Sequence, residues 1–276
     1  MSRRRTLSAL VVAVVAALVL GGCTRDGDPG PQPSASAEPS VDATASLPPV
    51  GVDCRDLATQ GRTLRLPNAA GLLIAAVDLG SGPEGVVLAH QSDANMCQWL
   101  PYATLLAQQG YRVVAFDFAG FGASSSAKSK TYLEDIRTVV TYLREQGTPR
   151  VVVVGASMGA TMSVVAAAAL TPPVQGVIAV SPPKVFDSVA ADRAAPSLHV
   201  PALYIAGEGD GDYAVYARQL AEATPADLGD LLVVDAPEHG VDLVGADSAA
   251  GAQVRTAIGL FLEDNLRPPD TPTPTR

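Results

Sequence analysis

The 276-residue sequence has little charge, few aromatic residues and few cysteines. Charged residues make up 17% of it and aromatic residues 5%, whereas hydrophobic residues reach 47%. This composition excludes a wholly disordered protein and predicts a large buried core. The 19 Lys and Arg residues are outnumbered by 28 Asp and Glu residues, which gives a net charge of −9. Because nucleic-acid binding needs clustered cationic side chains, we expect no nucleic-acid partner.

Residues that commonly bind zinc are also scarce. The sequence has three cysteines and three scattered histidines, and they lack the close-paired spacing that is typical of zinc sites. We therefore expect no metal site.

The apolar run at residues 9–20 is too short for a stable transmembrane span, since twelve helical residues rise about 18 Å against a hydrocarbon core of about 30 Å. It follows three arginines at positions 3–5, the layout of a secretory signal. The next residues, Leu20-Gly21-Gly22-Cys23, resemble the lipobox of bacterial lipoproteins. That resemblance implies that 1–22 is a lipoprotein signal peptide and that lipid on Cys23 anchors the protein to the membrane outside the cytoplasm. Plain secretion is the alternative.

Two segments lack any apolar periodicity. Pro, Ser, Ala, Gly and Asp dominate residues 23–50, and the tail 267–276 has a similar composition. Such segments bury too little apolar surface to offset chain entropy, which predicts a disordered tether and a disordered tail. Residues 51–266 remain as one folded domain. Within it, the export context favours a disulfide between Cys54 and Cys97, with two unrelated buried thiols as the alternative.

Short apolar runs alternate with longer segments of helical period in this domain, as is typical of parallel βα units. The runs near 63–66 and 72–79 predict an antiparallel entry to the sheet. Further strands are predicted at 86–89, 112–118, 151–154, 177–180, 202–206 and 231–234, and helices near 101–109, 132–146, 158–170, 213–223 and 254–265. The predicted fold class is α/β, a mostly parallel sheet with helices on both faces and ligands beyond the carboxyl ends of the strands.

The residues Gly155-Ala156-Ser157-Met158-Gly159 form a G-x-S-x-G sequence between the most apolar strand and a helix. The bare pattern is common by chance, but its place between strand and helix is informative. A serine on such a sharp turn has strained backbone angles and needs small residues two places away on either side. The turn also places the Met158 amide and a helix N-terminus beside the hydroxyl, where they favour negative charge. Ser157 is therefore the candidate nucleophile.

A serine hydroxyl needs a base to take its proton. His239 follows the strand at 231–234, so it lies at the same sheet edge as Ser157 and is the candidate base. His90 is at the right edge too, but we expect it to shape its own loop by hydrogen bonding to backbone. His199 precedes a strand, which places it at the opposite edge as a surface or structural residue.

The base needs an acid that fixes its tautomer. The strand at 202–206 runs into an acidic, Gly-rich loop in which Asp210 is the first choice, with Asp212 and Glu208 as neighbours. A solvated turn is the plain alternative for this loop. The chain order Ser157, Asp210, His239 matches a known arrangement of such triads.

Taken together, these motifs resemble the α/β-hydrolase family, serine esterases and dienelactone-hydrolase-like enzymes among them, over residues 60–266. The matching segments are the 155–159 turn, His90-Gln91 in place of the usual His-Gly, 117–124 with Ala119 in place of an Arg, Gly207 with Asp210, and His239-Gly240. The resemblance implies an oxyanion hole built from the Met158 amide and a second amide from Gln91 or Ser92.

The implied reaction is cleavage of a small-molecule carboxylic ester through an acyl-enzyme on Ser157, with no metal or organic cofactor. The segment 181–201 is too short for the large lid of many lipases, so we expect a fairly open site. A non-catalytic binding protein of the same fold and a peptidase with the same triad are the alternatives. The sequence leaves the oligomeric state open.

Overall fold

A computed structural model describes residues 47–128 and 130–267 of the chain. The chain divides into two units, 1–42 and 43–276, and all the described residues belong to the second. The predicted signal peptide, Cys23, most of the predicted tether and nearly all of the predicted tail lie outside the described residues. The described end of the tether already contacts the domain, because Val50 packs against the core and the Pro48 carbonyl accepts a hydrogen bond from Arg65.

Eight strands form one sheet in the order β1-β2-β4-β3-β5-β6-β9-β10. Only β2 runs antiparallel to its neighbours β1 and β4, and the remaining pairs are parallel. Two further strands, β7 and β8, pair with each other alone. The strands are β1 Arg62–Pro67, β2 Leu73–Leu79, β3 Glu84–Ala89, β4 Arg112–Phe116, β5 Arg150–Ala156, β6 Gly176–Val180, β7 Val185–Phe186, β8 Val189–Ala190, β9 Ala202–Gly207 and β10 Gly229–Val234.

The helices cover both faces of the sheet. They are α1 Arg55–Ala58, α2 Leu100–Gln108, α3 Tyr132–Glu145, α4 Met158–Ala169, α5 Ala191–Ala194, α6 Tyr213–Ala223, α7 Val241–Gly245 and α8 Ala249–Leu266. One apolar cluster joins buried residues of α3, α4 and α6 to one face, and a second joins those of α2, α7 and α8 to the other. No helix in the described ranges is both long and apolar enough to cross a membrane.

The β5 strand explains how one sheet serves two cores. Side chains alternate across a strand, so Val151 and Val153 enter the first cluster while Val152 and Val154 enter the second. All four valines are fully buried. A strand that is covered on both faces reads as a continuous apolar run, which is the pattern that predicted this strand.

The predicted strands and longer helices are confirmed, and so are the antiparallel entry and the parallel sheet with helices on both faces. Five short elements were not predicted from the sequence: α1, α5, α7 and the β7 and β8 pair. The connection 181–201 holds that pair and α5, with no large lid.

A disulfide joins Cys54 to Cys97, as predicted. It links the start of the domain to the loop between β3 and α2. Beside it, the Asn95 side-chain amide donates a hydrogen bond to Asp53 at 2.9 Å. The loop after β3 is thus tied to the entry of the chain by one covalent bond and one hydrogen bond.

Candidate active site

The strand register brings several loops to one edge of the sheet. Ala89 of β3 pairs with Gly155 of β5, and Ala156 pairs with Val180 of β6. Further along the sheet, Gly207 of β9 pairs with Val234 of β10. The loops after these five strands therefore begin at a common edge, as expected for parallel strands.

Ser157 lies on a strained turn between β5 and α4. Its φ is 49° and its ψ is −116°, a left-handed backbone that few residues other than glycine adopt. The turn requires glycine on both sides. A Cβ on Gly155 would lie 2.2 Å from the Gly159 carbonyl oxygen, and one on Gly159 would lie 2.3 Å from that of Ala89. This close approach accounts for the glycine spacing that predicted the turn.

The surroundings of Ser157 favour negative charge. Met158 is the first residue of α4, so its amide has no acceptor within the helix and adds to the positive end of the helix dipole. Ser157 itself is 7% exposed. An oxyanion formed at this serine would therefore lie beside an available backbone donor.

His239 and Asp210 form a hydrogen-bonded pair. Nδ1 of His239 lies 3.0 Å and 2.9 Å from the two carboxylate oxygens of Asp210. The histidine side chain is 29% exposed and the aspartate side chain 8%. The imidazole can thus meet a ligand while its partner carboxylate stays shielded. With Nδ1–H donated to Asp210, Nε2 is the nitrogen left to act as a base.

Gly207 allows the loops of these two residues to pack closely. A Cβ on Gly207 would lie 2.3 Å from the Ala236 carbonyl oxygen. That same oxygen accepts a hydrogen bond from the Gly209 amide at 3.0 Å. The loop after β9 that carries Asp210 (the acid loop) and the loop after β10 that carries His239 (the histidine loop) are therefore held together by backbone contacts. Only a glycine at position 207 permits them.

Ser181, which was not predicted, connects the acid to the histidine loop. It follows β6, is fully buried and has a positive φ of 49°. Its hydroxyl donates to Asp210 Oδ2 at 2.6 Å and accepts from the Gly240 amide at 2.9 Å. The serine thus fixes both Asp210 and the residue after His239. Its role depends on contacts 29 and 59 residues away, which no local pattern shows.

Gln91 holds the histidine loop as well, through its side chain. Gln91 Oε1 accepts a hydrogen bond from the Val241 amide at 3.1 Å. A Cβ on Gly240 would lie 2.3 Å from the same oxygen, so the glycine makes room for this contact. Gln91 is 5% exposed, whereas Ser92 is exposed. The two candidates for the second oxyanion amide therefore differ in accessibility to solvent.

His90 shapes its own loop, as predicted. Its Nε2 accepts from the Phe118 amide at 3.1 Å, which assigns the proton to Nδ1, 2.7 Å from the Gln91 carbonyl oxygen. Burial lowers the pKa of His90 to about 4, although the bond to Gln91 and the charge of Asp93 act in the opposite direction. This imidazole is therefore neutral and committed to backbone, and it is unsuited to be the base.

Tyr213, the first residue of α6, packs against the histidine and was not predicted as a site residue. The centroids of the Tyr213 and His239 rings lie 4.3 Å apart at an angle of 54°. Its backbone amide donates to the Asp210 carbonyl at 3.1 Å. Burial raises the pKa of Tyr213, as do Asp210 and Tyr216, while a hydrogen bond between its side chain and that of Ser157 lowers it. Tyr213 therefore lies against the candidate base, on the loop that carries the candidate acid.

The 117–124 loop is built around two buried carboxylates. Asp117 accepts from the Met96 amide at 2.7 Å and from the Ala123 amide at 2.8 Å. Burial raises the pKa of Asp117 to about 6, against the effect of these two bonds. Asp135 accepts from the Ala119 amide at 3.0 Å. The loop thus keeps a defined shape without the arginine that is usual at position 119.

The other residues weighed from the sequence lie away from this constellation. Glu208 and Asp212 are exposed, with Glu208 paired to Arg218. His199 is exposed at the opposite edge, as predicted. A cavity of about 770 Å³ between α2 and α8 includes none of the site residues. In residues 47–128 and 130–267, no three His, Cys, Asp or Glu side chains are grouped so that they could hold a metal ion.

Comparison with known proteins finds one matching family model and several curated proteins of similar sequence. A family model described as the alpha/beta hydrolase fold matches residues 86–211. A putative non-heme chloroperoxidase of Synechocystis is 39% identical over 101 residues, 35% of each chain. A bifunctional epoxide hydrolase 2 of Sus scrofa is 32% identical over 122 residues, 43% of this chain and 21% of that protein. The matched segments therefore span about a third or less of these curated relatives.

Solved structures match over more of the chain. An esterase from Pyrococcus furiosus superposes with a TM-score of 0.65 at 18% identity, covering 77% of this chain and 95% of its own. An esterase from a Rhodococcus species gives a TM-score of 0.61 at 17% identity, covering 74% and 99%. At such identities these matches show the shared fold.

Proposed function

Because the chain has the α/β-hydrolase fold, we propose that it is a serine hydrolase that cleaves carboxylic esters through an acyl-enzyme on Ser157. The observation that carries the proposal is the pairing of His239 with Asp210 at the edge where Ser157 occupies its strained turn. A constellation of this kind is recognised by geometry and role.

The proposed cycle has two halves. Ser157 attacks the ester carbonyl while Nε2 of His239 takes its proton, and the same proton then passes to the departing alkoxide. The Met158 amide and an amide from Gln91 or Ser92 stabilise the oxyanion, and each such donor typically contributes about a hundredfold to a thousandfold in rate. Water next attacks the acyl-enzyme with His239 again as base, which releases the acid and restores the serine.

The connection 181–201 supports small or extended soluble esters as substrates. It holds the β7 and β8 pair, α5 and one turn of 3-10 helix at Ala195–Ser197 ahead of β9, so this connection contains no long segment that could cover Ser157. Three aromatic residues that follow β3 and β4, Trp99, Phe118 and Phe121, are candidates for contact with an acyl group. Trp99 and Phe118 are fully buried in the two cores, so the partly exposed Phe121 is the remaining candidate among them.

A fluorophosphonate probe with peptide mass spectrometry tests the proposal. We expect one adduct on Ser157 in the wild type, none in Ser157→Ala and strongly slowed labelling in His239→Ala. His199→Ala is the matched control, since it removes an exposed histidine at the other edge. A folded wild type that is not labelled would contradict the proposal and favour a non-catalytic binding protein. If the wild type is labelled, its rates on matched p-nitrophenyl esters and p-nitroanilides would separate an esterase from a peptidase.

We propose further that the protein is exported and anchored by lipid at Cys23. The disulfide between Cys54 and Cys97 supports export, because such bonds form and persist in oxidising compartments. Metabolic labelling with an alkyne analogue of palmitate tests the anchor. Label is expected on the wild type and not on Cys23→Ala, and equal labelling of both would refute lipidation at this residue.

A further inference from the structure

Tyr213 occupies a place in the site that neither the oxyanion donors nor the triad explains. Its ring lies 4.3 Å from that of His239, and the side chain of Ser157 acts to lower the pKa of its hydroxyl. The backbone bond to Asp210 fixes it as the first residue of α6. The loop that carries Asp210 therefore places a phenol, which can donate a hydrogen bond, against the imidazole of the candidate base.

The side of the site on which Tyr213 lies indicates which substrate oxygen it would meet. The candidate oxyanion donors come from Met158 at the start of α4 and from the loop after β3. Tyr213 comes from the loop after β9 and packs on the imidazole that must deliver a proton to the leaving group. Because Tyr213 comes from a different loop than the oxyanion donors, the departing oxygen is its candidate partner.

We propose, resting on the proposed serine-hydrolase function, that the Tyr213 hydroxyl donates a hydrogen bond to the leaving-group oxygen of the ester. When the tetrahedral intermediate collapses, the bond between the carbonyl carbon and the alkoxy oxygen breaks and its electron pair goes to that oxygen. The proton on Nε2 of His239 moves to the oxygen and the alcohol departs. Tyr213 keeps its own proton throughout and stabilises the charge that develops before the proton arrives.

The chemistry of Tyr213 fits this role. Burial raises the pKa of its hydroxyl, so the phenol remains a donor at neutral pH. Its ring packs against the imidazole of His239, with the two rings tilted by 54°. A donor at the leaving group matters most when that group is a poor one, so the natural substrates are alkyl esters rather than activated aryl esters.

Tyr213→Phe tests the inference, with Tyr216→Phe as the matched control. Tyr216 is three residues further along α6, packs edge-on to Tyr213 at 6.0 Å and bonds only weakly to Asp212 at 3.4 Å. The measurement is kcat/KM for ethyl, phenyl and p-nitrophenyl acetate. These esters share one acyl group, so differences among them report acylation alone.

For Tyr213→Phe we expect kcat/KM to fall about tenfold to a hundredfold with ethyl acetate, the usual size of a hydrogen bond to a charged group. The loss should be much smaller with p-nitrophenyl acetate, whose leaving group is already stable as an anion. Tyr216→Phe should follow the wild type on all three esters. An equal loss on all three esters in Tyr213→Phe, or no loss, would overturn the role at the leaving group.

Fluorophosphonate labelling separates this inference from the proposed function. Fluoride is a good leaving group, so Tyr213→Phe should label at Ser157 nearly as fast as the wild type, which also shows that the variant is folded. If the wild type labels but the loss in Tyr213→Phe is equal on all esters, only this inference fails. If the wild type neither labels nor turns over any ester, the proposed function fails first.

Discussion

One hydroxyl group, that of Ser181, serves two loops of the candidate site. Its bonds to Asp210 and to the Gly240 amide are both fully buried. In Ser181→Ala the amide loses its acceptor and the carboxylate loses a donor, and each unpaired buried group costs about 1 to 3 kcal/mol. We expect kcat for an ester to fall about tenfold or more with little change in KM, because the serine orients the acid and does not bind substrate.

Ser163→Ala is the matched control for this prediction. Ser163 is also fully buried, but its hydroxyl bonds to the Gly159 carbonyl within its own helix. Its removal should leave kcat unchanged. Equal values of kcat in Ser181→Ala and the wild type would show that the orientation of Asp210 does not depend on this serine.

Residues of the site differ in how far the sequence can reveal them. Ser157, Asp210 and His239 each follow a recognisable strand, so the rule that parallel strands end at one edge was enough to place them at the same edge of the sheet. Tyr213 and the Gln91 side chain act through contacts with residues of other loops. Such contacts depend on the three-dimensional course of those loops, which a single sequence does not determine.

At the scale of elements, the turn between β5 and α4 depends on missing side chains. A Cβ at Gly155 would lie 2.2 Å from the Gly159 carbonyl oxygen and 2.5 Å from the Ser163 hydroxyl. Since the first contact is with backbone, Gly155→Ala must displace either the strand or the helix. We expect the free energy of unfolding to fall by about 2 kcal/mol or more in chemical denaturation, and labelling of Ser157 to fall with it.

Gly259→Ala is the matched control at this scale. Gly259 lies within α8, where an added Cβ meets nothing within 4 Å. Alanine is the better helix former, so this variant should gain about 0.5 to 1 kcal/mol. If the two variants had similar stabilities, the packing of the turn would not be the reason for its glycines.

The elements that the sequence did not predict are the short ones. The strands β7 and β8 have two residues each, the helices α1 and α5 have four each, and α7 has five. Neither a period of two nor one of 3.6 can be recognised in so few residues. The long elements were predictable because β5 is apolar after its first residue, Arg150, and α3 shows its buried residues at helical spacing.

For the whole molecule, two buried groups make stability depend on pH in opposite directions. With its pKa lowered to about 4, His90 stays neutral in the folded state while the unfolded chain gains a proton below about 6.5. The folded state therefore loses stability as the pH falls through this window. With its pKa raised to about 6, Asp117 keeps a proton that the unfolded chain releases near 3.8. The contribution of Asp117 to the free energy of unfolding therefore falls as the pH rises over nearly the same window.

We expect these two effects to offset each other in the wild type between about pH 4 and 6. Denaturant unfolding at pH 4.5, 5.5 and 6.5 would measure them separately in two variants. Relative to the wild type, His90→Gln should retain more stability at the acidic end, because a neutral amide accepts from the Phe118 amide without titrating. Asp117→Asn should show a steeper rise in stability with pH. Titration of one group can change the free energy of unfolding by at most about 1.4 kcal/mol per pH unit. Parallel curves of this free energy against pH for all three proteins would contradict the roles of His90 and Asp117.

The link between Cys54 and Cys97 also decides how the domain would bear mechanical load. It spans 43 residues of sequence, so the segment 55–96, with β1, β2 and β3, lies inside a covalently closed loop. Tension applied to the chain ahead of Cys54 would pass through the two sulfur atoms directly to Cys97 and α2. That pull could not separate the strands within the loop from the sheet. His90 and Gln91 would therefore keep their places while the chain ahead of Cys54 is stretched.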